Sequence, residues 1–341
     1  MVEDHVVTDA RRNRGVQRGR FSRRLLAAAL AVLAIVALVG VGYAAYVWQL
    51  VSSQVVQQDL LPDRPVSTDA EAARAGAASD GPASSLPVKL PDTGMNLLVI
   101  GSDKEVAGNG WSDAIFLAHI TQRRDHVMLV RLPRDLYVTI PGRGQGKLNA
   151  AYTQGGAKLL VATIEDLLGI VVDHVAVTGF AGFRGMTDAV GGVDVVVTEP
   201  GEWPGYTFVP GTTHMDGEMA LAFVRERDDS GGDLSRGTRQ QAFLTALLAK
   251  SLSADGLINP LRLASFLDAA TENITVDTAF TVQEMSSVAF GLRAVKARDV
   301  SFLQAPFGGA TPGHESVLTV DVPKMRALGD ALRTDHLSAP Q

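Results

Sequence analysis

From Leu25 to Trp48 the chain runs 24 residues without a charge. At about 1.5 Å per residue, a helix of that length exceeds a bilayer hydrocarbon core of about 30 Å. Seven arginines lie between Arg11 and Arg24, while no Lys or Arg occurs from Gln49 to Asp63. Tyr43, Tyr46 and Trp48 close the far end, where amphipathic rings favour a membrane interface. The charge bias predicts a single-pass membrane protein with a cytoplasmic N-terminus and everything after Trp48 outside. A cleaved signal peptide has an apolar core of about 7–15 residues and a small-residue cleavage site. This run is longer and ends in aromatics, so it reads as an uncleaved anchor.

The rest of the chain contrasts with that basic start. The net charge is −6 over 341 residues, and the segment after the arginines is more acidic than the total. That balance does not support nucleic-acid binding. The absence of cysteine excludes disulfides, thiol catalysis and cysteine-held zinc. Pro62 to Pro91, rich in Ala, Ser, Pro, Asp and Gly, lacks an apolar period and reads as a spacer. The organisation expected is a basic cytoplasmic tail (1–24), an anchor (25–48), a flexible extracytoplasmic linker (49–94) and one folded domain (95–335).

Short apolar runs bounded by turn residues predict strands at Met95–Gly101, Ala114–Ile120, His126–Leu132, Leu136–Ile140, His174–Thr178 and Val193–Val197. Two more fall near Val300–Leu303 and Val317–Val320. Helical periodicity marks Ala157–Leu168, stopped by Gly169, and Phe180–Val190. It recurs at Thr238–Ser253, Pro260–Ala270, Val282–Leu292 and Val322–Leu332. Interleaved strands and helices predict an α/β fold, a single αβα layered domain whose mixed β-sheet carries helices on both faces. The early strand–turn–strand argues against an all-parallel sheet.

The sequence lacks a G-x-S-x-G elbow and an H-E-x-x-H pair, and its histidines show no metal-ligand spacing. Gly142–Lys147 is one residue short of a phosphate loop and continues with Leu148 instead of Ser or Thr, so it reads as a Gly-rich turn. Asp103 and Asp113 flank strands. Two carboxylates so placed can share a hard cation such as Mg²⁺ with substrate phosphates, or can simply cap turns. Arg134 and Asp135 follow Pro133, and Lys147 opens a polar-then-small segment. Four arginines (Arg225, Arg227, Arg236 and Arg239) fall within fifteen residues. In an extended segment Arg225 and Arg227 point the same way, and Arg236, Arg239 and Gln240 share a helical face that Asp233 could cap. Gly237 weakens that helix locally. Guanidinium forks grip diphosphate oxygens. With Glu226, Asp228 and Asp229 nearby, a solvated, salt-bridged helix start is the competing reading.

Taken together, LLVIGSD (Leu97–Asp103), SDA (Ser112–Ala114), LPRDLYVTIPG (Leu132–Gly142), KLNAAYTQGG (Lys147–Gly156), DAVGGVDVVV (Asp188–Val197), HMDGEMALAFVRER (His214–Arg227) and GDLSRGTRQQAFLTALL (Gly232–Leu248) resemble the LytR-CpsA-Psr family of cell-wall ligases. The resemblance implies an αβα domain with an apolar pocket for a polyprenyl chain. It implies transfer of a phospho-glycopolymer from a polyprenyl diphosphate carrier to a peptidoglycan sugar hydroxyl, with Mg²⁺, or Mn²⁺ in its place, as cofactor. It assigns Asp103 and Asp113 to metal or acid–base work, and Arg134, Arg225 and Arg227 to the diphosphate. Lys147, Asp233, Arg236, Arg239 and Gln240 fall to the rest of the substrate site. Where the family commonly has Arg-Ser-Asp, this chain has Trp111-Ser112-Asp113, a departure that bears on substrate preference and turnover. A non-catalytic module that presents polyprenyl phosphates, or a pyrophosphate hydrolase, are the alternatives. Ala-, Val- and Arg-rich composition fits a high-GC genome and points to arabinogalactan or a related wall glycan, with teichoic-acid-like and capsule-like polymers as the other classes.

Overall fold

A computed structural model describes residues 45, 49, 52–63, 87, 89, 93–102, 110, 112–226, 232–251, 260–310 and 317–335. The chain divides into two units, Met1–Leu50 and Val51–Gln341. Of the first, only Ala45 and Gln49 are described, both helical. The expected anchor therefore lies, apart from Ala45, outside the described residues, and among these no helix is long and apolar enough to cross a membrane.

The second unit runs β1 (Val56–Gln58), β2 (Met95–Ser102), β3 (Ser112–Ile120), β4 (Val127–Arg131), β5 (Leu136–Ile140), β6 (Gly144–Lys147) and α1 (Leu148–Leu168). Next come β7 (His174–Thr178), α2 (Phe180–Ala189), β8 (Val193–Val197), β9 (Gly201–Trp203), β10 (Tyr206–Phe208), β11 (Gly211–Met215), α3 (Gly217–Arg225) and α4 (Gly232–Ser251). The chain ends with α5 (Pro260–Asn273), β12 (Ile274–Asp277), α6 (Val282–Gly291), β13 (Val300–Gln304), β14 (Phe307–Ala310), β15 (Leu318–Val320) and α7 (Val322–Arg333).

The main sheet has seven strands in the order β1-β12-β7-β2-β3-β4-β13. It is mixed: β2 pairs antiparallel with β3 and β3 with β4, whereas β2–β7, β4–β13 and β1–β12 are parallel. A four-stranded sheet, β14-β15-β5-β6, and the pairs β9–β10 and β8–β11 stand apart from it. The strands expected from sequence thus belong to several sheets. β1 lies in the segment read as a linker, and Leu60, just after it, is buried in the core.

Alternation along β2 explains the layering. Leu98 and Ile100 point to one face and are fully buried among α1 and α7 residues such as Leu160, Ile164 and Leu332. Val99 and Gly101 point to the other face and stay half-buried, because that face floors a cavity roofed by α2, α3 and α4. A strand covered fully on both sides would be apolar and buried without alternation.

Local chemistry sets the ends of these elements. α1 turns at Gly155 and Gly156, whose backbones leave the helical region, with Gly156 at φ 65°. The helix expected from Ala157 is the piece after this kink. Gly169 stops it in the left-handed conformation (φ 67°), its N–H donating to the Glu165 carbonyl at 2.8 Å. Asp216 caps α3 by accepting from the Met219 N–H at 2.9 Å. α3 was not evident from sequence, and it corrects one expectation: Arg225 ends a helix and does not lie on an extended strand.

Candidate active site

The cavity on the open face of the main sheet has a volume of about 500 Å³. Val99, Phe116, Phe183, Val224, Phe243 and Leu244 give it apolar walls. Its charged and polar lining comes from Asp113 at the start of β3, Arg225 at the end of α3, Arg236 and Gln240 on α4, and Glu202 on β9. Asp113 and Arg225 are delivered by the ends of their elements, Arg236 by the early turns of α4 and Glu202 by the short strand β9.

Asp113 sits between two guanidinium groups. Arg134 Nη1 donates to its Oδ1 at 2.6 Å, and Arg236 Nη1 lies 3.8 Å from the same oxygen. Arg134 is also 3.6 Å from Asp135, which Lys147 approaches at 3.3 Å. The row Lys147, Asp135, Arg134, Asp113, Arg236 therefore alternates in sign and brings four expected site residues together. Arg236 is almost wholly buried, with 2% of its surface exposed, so its charge acts with little water screening. Arg225 is exposed, and its guanidinium carbon stands 4.4 Å from the Phe180 ring centre and 5.4 Å from that of Trp203. Two aromatic faces hold the planar cation and leave its N–H edge for an anion.

Arg239 is placed otherwise. It is buried against Glu226, its Nη2 donates to the Pro200 carbonyl at 3.0 Å, and it lies outside the cavity wall. The Cβ of a larger residue at Gly201 would stand 2.8 Å from Arg239 Nη2, so glycine admits the contact. Arg239 ties α4 to the segment before β9, and the shared face expected from its spacing resolves into Arg236 and Gln240 at the cavity with Arg239 beside it. Asp233 lies in the first turn of α4 and its side chain is outside the described residues, as are Asp103, Trp111 and Arg227. Sequence reasoning missed Glu202 and Trp203, whose strand is only three residues long, Phe180, whose helix was expected but not its place at the cavity, and Arg131, taken up below.

The αβα body thus carries a cavity whose apolar walls end in guanidinium groups and two carboxylates, Asp113 and Glu202. The chain belongs to the LytR_cpsA_psr family, whose model matches residues 65–334. It is 36% identical over 217 residues to the probable cell wall biosynthesis protein LcpB of Corynebacterium glutamicum, covering 59% of this chain and 52% of that protein. It is 35% identical over 204 residues to the polyisoprenyl-teichoic acid–peptidoglycan teichoic acid transferase TagU of Enterococcus faecalis, covering 58% of this chain and 66% of that one. The chain thus spans about half to two thirds of the length of these relatives. The crystal structure of TagV from B. subtilis superposes with a TM-score of 0.61 at 24% identity, covering 73% of this chain and all of TagV. A LytR-Csp2A-Psr enzyme from Actinomyces oris gives 0.60 at 21% identity, over 73% of this chain and 93% of that one. These two likenesses show the fold.

Proposed function

We propose that this chain moves a phospho-glycopolymer from a polyprenyl diphosphate carrier to a peptidoglycan sugar hydroxyl. The observation that carries this reading is the single cavity wall on which apolar side chains give way to Arg225, Arg236 and Asp113. Prenyl carbons suit Phe116, Phe183 and Phe243, and diphosphate oxygens suit the guanidinium end. The transferase name of the TagU relative supports the same reaction class. Arabinogalactan or a related wall glycan is the polymer class we favour from composition.

In this mechanism the diphosphate lies across Arg134, Arg225, Arg227 and Arg236. The acceptor hydroxyl oxygen attacks the sugar-side phosphorus, and its proton passes to a carboxylate, Asp113 or Asp103. The bond from that phosphorus to the bridging oxygen breaks, and polyprenyl monophosphate leaves. Arginines on the departing phosphate offset the developing charge, the dominant contribution in phosphoryl transfer. Among the described residues no group of three or more His, Asp or Glu side chains converges to hold a metal. Mg²⁺ needs only one or two carboxylates beside substrate phosphates, so half-buried Asp113 fits it as one ligand, and Asp103, outside the described residues, is the second candidate. When bound, Mg²⁺ would supply further charge neutralisation. The N-terminal run Leu25–Trp48 would hold the domain at the extracytoplasmic membrane face.

The test is release of polyprenyl monophosphate from a short-chain polyprenyl diphosphate sugar by the full chain in detergent, with Mg²⁺ or EDTA. Arg225→Ala and Asp113→Ala should each slow release by about 10²–10³-fold, the usual effect of removing one transition-state partner. Unchanged release in both variants would sink the assignment. Tight lipid binding without release, with or without metal, would identify a presentation module. Release indifferent to added glycan would identify a hydrolase.

A further inference from the structure

Arg131, the last residue of β4, is 6% exposed and lies outside the cavity wall. Its Nε donates to Gln240 Oε1 at 3.3 Å, and its Nη1 donates to Gln304 Oε1 at 3.4 Å. Its backbone is fixed as well: the Arg131 carbonyl accepts from the Ala305 N–H at 2.8 Å. Above the guanidinium runs α4, which meets it with Gly237. A Cβ there would stand 2.6 Å from both Cζ and Nη1 of Arg131. Glycine inside a helix costs about 1 kcal/mol relative to alanine, and this close approach explains its presence.

Gln240 does line the cavity. A primary amide has an acceptor end and a donor end, and the partner of one end decides which end is left for the other side. Arginine only donates, so it captures the oxygen. Phosphate ester oxygens only accept. We propose that Arg131 is a positioning residue that clamps Gln240 Oε1 and so turns the two Nε2 hydrogens toward the diphosphate oxygens, with Gly237 making room for the clamp. This rests on the cavity receiving a prenyl diphosphate, as proposed above.

The experiment is a double-mutant cycle on the full chain in detergent. It reads the ratio of the affinity for farnesyl diphosphate to that for farnesol. Arg131→Met should lower this ratio about tenfold, the ordinary effect of losing a hydrogen bond to a charged group. In a Gln240→Ala background the same substitution should change it less than twofold, because the group it acts through is gone. Arg131→Lys, which keeps a donor-only cation, should recover part of the loss. Gly237→Ala keeps the arginine, improves helix propensity and pushes the guanidinium aside, so it provides the same reading should Arg131→Met fail to fold. Equal losses from Arg131→Met or Gly237→Ala with and without Gln240 would overturn the positioning role while leaving the anion pocket intact. A wild-type chain that binds farnesol as tightly as farnesyl diphosphate would overturn the anion pocket itself, and this inference with it.

Discussion

Asp113 accepts its hydrogen bond from Arg134 on one side and faces Arg236 on the other, whereas His174 pairs with acids. His174 Nδ1 is 3.3 Å from Asp277 Oδ2, its Nε2 is 3.3 Å from Glu284 Oε1, and its ring stacks on Phe280 with centroids 4.3 Å apart. Burial disfavours charge on both His174 and Asp277. Their mutual hydrogen bond and attraction outweigh it, with Glu284 adding to the effect on His174, so His174 is held above its ordinary 6.5 and Asp277 below its ordinary 3.8. The histidine's contribution to stability is complete below 6.5 and is lost as pH rises through its raised value. The aspartate's is complete above 3.8 and is lost as pH falls through its lowered value. The melting temperature should therefore fall as pH rises from 6.5, and His174→Gln should flatten that fall; an unchanged slope would refute the pairing. The partner of His174, Asp277, lies 103 residues away, and no local pattern in the sequence announces it.

At the scale of elements, strands buried by their neighbours were legible: β5, β7 and β8 fall where apolar runs placed them, because turn residues bound them on both sides. β9, β10 and β12 are only three or four residues long, too short to carry a period, and became visible only through their pairing partners. α3 escaped because nine residues make barely two and a half turns at about 3.6 residues each. Its cap makes a direct test. Asp216→Ala should cost about 1 kcal/mol, read by chemical denaturation, and because Arg225 ends that helix it should also weaken lipid diphosphate binding. A second test lies where α7 crosses the end of α1. A Cβ on Gly329 would stand 1.8 Å from the Leu168 carbonyl oxygen, so Gly329→Ala should force the helices apart and destabilise by about 1–3 kcal/mol.

For the whole molecule, the mixed sheet and the αβα layering followed from the order of the predicted elements. The division of the described strands into four sheets did not, because which strands pair is decided by long-range packing. The candidate site was legible as a set of residue types. Which members face the cavity depended on partners remote in sequence: Glu226 and Pro200 draw Arg239 away, and Arg131 stands behind Gln240. β1 closes one edge of the main sheet, Gln54 Oε1 accepts from the Thr271 hydroxyl at 2.7 Å, and Leu60 enters the core. Leu60→Ala should cost about 2–5 kcal/mol, measured by denaturant titration of the full chain, and a value near zero would show that the edge strand is dispensable.

That edge strand changes what the Ala- and Pro-rich stretch can be. β1 and β2 belong to one sheet, so the stretch that connects them is fastened to that sheet at both ends. Doubling such a loop adds only about 0.6 kcal/mol of closure entropy. Ser52–Gln54 are helical and Gln54 is tied to Thr271 and Asp268, so this edge of the sheet is fastened from Ser52 onward. Insertions between β1 and β2 would therefore lengthen that span without loosening the sheet edge.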